Sequence, residues 1–139
     1  MAKVQIDVCA HVKTRTGDDF LEPAVRGGKF VLVDGKEKQQ HQITADDEVK
    51  MEPVPVGRVI CLGLDAPDEK ATPSDLRKRF VLSARVEKAM QERKPLDIEQ
   101  DERRVIEDTS ELVRNGMFLA AVDECLANAQ PVKKPAKAA

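Results

Sequence analysis

The second half of the chain is punctuated as a set of helices, and that punctuation constrains the fold more than any other feature. Thr72 can cap a helix, Pro73 occupies its first position, and Asp75 completes a T-x-x-D capping box. Leu76, Phe80 and Ala84 then repeat at i+4, and Val86 and Met90 continue the apolar face. Arg77, Lys78, Arg85 and Lys88 lie outside it. The helix is expected to run to about Arg93, because the residue before Pro95 disfavours helical geometry.

Asp97 is the expected cap of the next helix, with Gln100 as its reciprocal partner. Its stripe is Val105, Ile106, Thr109, Leu112 and Val113, and Asn115-Gly116 is the expected left-handed stop. A final helix over about Met117–Asn128 carries Phe118, Ala121, Val122, Cys125 and Leu126 at i, i+3, i+4, i+7 and i+8. Ahead of these, Val56, Val59, Ile60, Gly63 and Leu64 fit a short helix. The run Val59–Leu64 also fits a buried strand, and the helix is the favoured of the two.

The first half reads differently. Residues 3–12 alternate strictly, with Val4, Ile6, Val8, Ala10 and Val12 on one face of an expected strand. Residues 14–28 read as a loop, and Lys29–Val33 as a second strand. Asp34-Gly35 then signals a hairpin, because a type I′ turn needs positive φ at both central residues. The return strand, about Glu37 to Ile43, is polar and suits a sheet edge. Residues 44–55 read as a connector.

The expected class is therefore α+β: a small N-terminal antiparallel β-sheet followed by a C-terminal cluster of three to four helices. Residues 1–52 form the β-rich part and 53–129 the helical part, together one domain. Residues 130–139, rich in Pro, Ala and Lys, form a disordered basic tail.

Composition removes several functions. With 23 basic and 25 acidic residues, no broad phosphate-binding face is expected. Four Phe, no Trp and no Tyr disfavour a base-stacking platform. Cys9, Cys61 and Cys125 are odd in number and widely spaced, so they form no disulfide framework and point to a reducing cytoplasm. The N-terminus lacks an apolar signal core and no stretch approaches 18 apolar residues, so neither secretion nor a membrane is expected.

Candidate chemistry is thin. Cys9 and His11 share one strand face, but nothing supplies an orienting third group or an oxyanion site. His11, His41, Asp46, Asp47 and Glu48 lack the spacing of calcium or zinc ligands. Arg26-Gly27-Gly28-Lys29 precedes a strand and is better read as a turn than as a phosphate loop. The last two helices do not suit DNA, since the second has no Lys or Arg and carries Asp123 and Glu124. Lys133, Lys134 and Lys137 offer at most weak, salt-sensitive phosphate contacts.

The order GRVICLGL (57–64), a charged loop, DLRKRFVLSARV (75–86), LDIEQDERRVI (96–106) and LVRNGMFLAAVDECL (112–126) resembles a group of small uncharacterised bacteriophage proteins. Those carry an LTLGDVxxxALL segment, an EEKxRRxxLAxxI helix, an LTxEDxxLIK helix and an ending like LVVGQAxxLLE. The resemblance covers about residues 55–126. Here the stretch between Ile106 and Leu112 is shorter by about one helical turn, and the N-terminal strands have no counterpart.

The resemblance implies a phage origin. Joined to the helical stripes, it yields the expectation of a non-enzymatic phage-type protein, a virion component or assembly factor. It would act by binding a protein partner or by self-association, in the host cytoplasm or the virion. Phe80, Phe118, Val122 and Leu126 are the candidate anchors, and no cofactor or metal is expected. The alternative is a phage regulator or inhibitor that binds a host protein or, weakly, nucleic acid. A thiol-dependent enzyme using Cys9 and His11 comes last.

Overall fold

A computed structural model describes residues 3–23, 25–26, 30–33, 36–39 and 50–132. The fold is α+β. Strands β1 (Val4–Ile6), β2 (Leu21–Pro23), β3 (Val25–Arg26), β4 (Phe30–Val33), β5 (Lys36–Gln39) and β6 (Met51–Pro53) precede helices α1 (Val56–Leu64) and α2 (Pro73–Glu92). Strand β7 (Leu96–Ile98), helix α3 (Gln100–Ser110), a 3-10 turn (Glu111–Val113), helix α4 (Gly116–Ala127) and strand β8 (Gln130–Pro131) follow.

The strands pair antiparallel in three small sheets, ordered β7-β1-β8, β2-β6 and β3-β4-β5. In the last, Val33 faces Lys36, so β4 and β5 pair antiparallel as expected of a hairpin, and Asp34 and Gly35 lie outside the described residues. The return strand is described only as far as Gln39, and its expected end, Ile43, lies outside. β2 and β3 occupy the stretch expected as a loop, and β6 lies in the expected connector.

Helix α1 is the hub of the core. Six of its nine residues are buried, and it touches α2, α3 and α4. Its N-terminus has no side-chain cap. Two of the orphan N–H groups at its start are satisfied instead by the first segment of the chain. Val56 N donates to Ala10 O at 2.7 Å, and Gly57 N to Val8 O at 2.8 Å. This explains why the expected ten-residue strand stops at Ile6. Asp7 Oδ1 accepts from Cys9 N at 3.0 Å, turning the backbone so that its carbonyls aim at α1. The alternation survives as burial: Ile6, Val8 and Val12 are all buried, while Ala10 is exposed.

Helix α2 starts as its sequence dictates. Thr72 Oγ1 accepts from Asp75 N, and Asp75 Oδ2 from Thr72 N, both at 3.1 Å. It ends with Arg93 left-handed at φ 53° and Lys94 N donating to Ala89 O, one residue before Pro95. Its buried face differs from the expected one. Leu82, Ser83, Val86 and Ala89 face the core, whereas Leu76, Phe80 and Ala84 face solvent. The i, i+4, i+7 stripe that starts at Leu82 meets α1 and wins over the i+4 stripe that starts at Leu76.

Three further expectations are corrected at the C-terminal end. Asp97 does not cap α3; it lies in β7 opposite Gln5, and Glu99 caps the helix in a capping box with Glu102. Asn115-Gly116 is not the stop of the preceding helix. Arg114, at φ 51°, makes the left-handed turn, and Asn115 caps α4 by accepting from Phe118 N at 3.2 Å. Gln130 and Pro131, expected in a tail, pair with Gln5 and Val4. The first strand is thus the centre of a sheet whose edges come from the helical half of the chain.

Candidate interaction surface

The four expected anchors do not come together. Val122 is 0% exposed and Leu126 3%, so both are core residues and are not available to a partner. Phe118 is half-buried and sits edge-on against Phe20, ring centres 5.7 Å apart. Phe80 alone is open, at 72% exposure. Leu76 and Val81, on the same helix, are 45% and 57% exposed. Neither was expected at a surface, though the competing stripe Leu82–Val86–Ala89 was readable and would have turned them outward. Lys133, Lys134 and Lys137 lie outside the described residues.

The outer face of α2 is thus an apolar strip set among charges. Arg77, Ala84, Glu87, Lys88 and Gln91 share it, all exposed. Beside it a cavity of about 570 Å³ opens between α2 and α3. Val81 and Val105 contribute its apolar lining, with Arg77 and Lys78 on one wall and Glu99 and Asp101 on the other. A cleft with both signs on its rim gives no broad attraction to a polyanion.

The thiols are engaged in packing. Cys9 Sγ approaches Met90 O at 3.9 Å, Cys61 Sγ approaches Ser83 O at 3.6 Å and Cys125 Sγ approaches Asp7 O at 3.6 Å. Each links two elements that are distant in sequence. Burial pushes all three thiols up from their ordinary value, Cys125 to about 11. At Cys9 the Asp7 carboxylate adds to burial and Arg93 opposes it. This is the reverse of thiolate activation.

Cys9 and His11 border one hollow of about 410 Å³, but His11 Nδ1 lies 3.2 Å from Asp19 Oδ2. Lys13 pairs with the same carboxylate, and its hydrogen bond holds Asp19 below the usual carboxylate range, assisted by His11 and opposed by burial. Cys9 Sγ and His11 Nδ1 thus each lie against another group, Met90 O and Asp19 Oδ2.

Among the described residues no group of His, Cys, Asp and Glu is placed to hold a metal ion. His41, Asp46, Asp47 and Glu48, and Gly27 to Lys29, lie outside them. No helix among the described residues is long and apolar enough to cross a membrane. The chain matches no protein-family model, no curated protein and no solved structure.

Proposed function

We propose that this protein works without chemistry of its own, by binding protein partners through the outer face of α2, as a virion component or assembly factor of a bacteriophage. It would act in the host cytoplasm or on the particle. The observation that carries the binding role is Phe80. A chain with only four aromatic side chains leaves one 72% exposed, flanked on the same helix by Leu76 and Val81. Single exposed apolar residues are ordinary, whereas a cluster that includes an aromatic is the usual make-up of a binding hot spot. The phage part rests on the resemblance over about residues 55–126, which takes in the four helices except Ala127.

The test is a photo-crosslinking pair. Benzoylphenylalanine replaces Phe80 in one variant and the exposed Asp123 of α4 in the other, and each is irradiated in cells that make the protein. A discrete adduct from position 80 and none from position 123 is the expected result. Equal or absent labelling at position 80 overturns the binding role. Identification of the adduct as a capsid, tail or scaffold protein decides the assembly role.

A further inference from the structure

We propose that a second copy of this chain covers the outer face of α2, in an antiparallel helix pair that sets Phe80 of each copy against Ala84 of the other. This rests on the reading of α2 as the binding face and names its partner. Positions 77, 80, 84, 87 and 91 recur at alternating steps of three and four, the spacing of a coiled-coil seam. All five are exposed. The seam lies opposite Leu82, Val86 and Ala89, which hold the helix to its own core.

An antiparallel pair with its two-fold axis level with position 82 brings each seam position against a complementary one. Residue 80 meets 84, so the largest side chain of the seam packs over the smallest. Residue 77 meets 87, so Arg77 faces Glu87 of the other copy, and the symmetry makes this ion pair twice. Residue 73 meets 91, Pro against Gln. Val81 lies beside the axis, where it meets Val81 of the second copy. Moving the axis by half a heptad in either direction sets Phe80 against Arg77 or Gln91 and removes both matches. Size and charge along the seam therefore agree on one register. A single helix pair is smaller than a standard stable interface, so the association depends on concentration.

The experiment is molar mass by light scattering or sedimentation, from about 1 to 500 µM, the range in which small interfaces associate. The wild-type mass rises from 15.4 kDa towards twice that value. Arg77→Glu sets acid against acid and Glu87→Arg sets base against base, so each variant alone stays at 15.4 kDa. Mixing the two single variants restores the dimer as a heterodimer, and so does the double variant R77E/E87R. Circular dichroism checks that every variant is folded.

A dimer indifferent to either substitution, or single variants that stay monomeric on mixing, overturns the proposed geometry. A monomeric wild type that still crosslinks to another protein from position 80 overturns self-pairing and leaves the binding face standing. A monomer that crosslinks to nothing removes both.

Discussion

Gly63→Ala should destabilise the protein although alanine is the better helix former. A methyl group at position 63 would lie 2.7 Å from Thr109 O and 3.0 Å from Thr109 C, both backbone atoms of α3. Ordinary contact begins near 3.4 Å, so the two helix backbones must part by up to about 0.7 Å. Helix propensity favours the substitution by about 0.5–1 kcal/mol. Overpacking in a fixed core costs about 1–3 kcal/mol. The cost wins because the obstacle is backbone rather than the end of a flexible side chain, which leaves a net loss of up to about 2.5 kcal/mol. For 139 residues, 1 kcal/mol corresponds to about 3–4 °C in Tm, so the midpoint falls by up to about 10 °C.

Gly116→Ala is the internal control, since nothing lies within 4 Å of its added methyl and its φ is not positive. It should raise stability by about 0.4–1 kcal/mol. Thermal and urea unfolding of both variants measure the difference. A Gly63→Ala protein as stable as Gly116→Ala would refute the close approach of α1 and α3.

Other outcomes follow from burial and charge. Val122→Asp places a carboxylate at a position with no exposure and should cost about 4 kcal/mol or more, seen as loss of the cooperative melt and not as selective loss of binding. Arg79 donates to Asp68 at 3.0 Å and, by that hydrogen bond first, holds the Asp68 carboxyl below its ordinary 3.8. The folded-state value is the lower one, so the pair's contribution is present above pH 3.8 and is lost as pH falls through the lowered value. Asp68→Asn should lower the urea midpoint at neutral pH and meet the wild type as pH falls through the lowered value, and equal midpoints of the two proteins at about pH 7 would count against the pairing.

Cys125 titrates near 11 when folded, against 9.0 ordinarily, so folding keeps its proton. Its contribution is complete below pH 9 and is lost as pH rises towards 11. At neutral pH a thiol reagent should reach Cys125 only in urea, and rapid labelling of all three cysteines in the native protein would contradict the packing.

What the sequence made legible was what is encoded within a few residues. The Thr72–Asp75 box gave the start of α2, Pro95 its end, and the Phe118–Leu126 spacing gave α4. What it hid depends on partners distant in sequence. β7 and β8 are three and two residues long, and only pairing with β1 makes them strands. The turn at Asp7 is explained by the N–H groups of α1, some fifty residues on. The face of α2 was misread because two apolar stripes coexist on one helix, and local periodicity cannot say which meets α1. That same ambiguity hid the candidate site, since Phe80 belongs to the stripe left outside, while Val122 and Leu126 belong to one that is buried.

The central position of β1 also sets an order of events. Val4 pairs with Ile98 on one side and Pro131 on the other, so β1 is made well before the two strands that flank it and is among the last to be seated. The helices can form from neighbouring residues as they emerge, whereas closing the sheet spans nearly the whole chain and carries the largest loop entropy. Until then Ile6, Val8 and Val12 have no finished core to enter. A ribosome that stops before residue 96 therefore releases a chain in which β1 lacks both of its partner strands, the kind of segment that aggregates or recruits a chaperone.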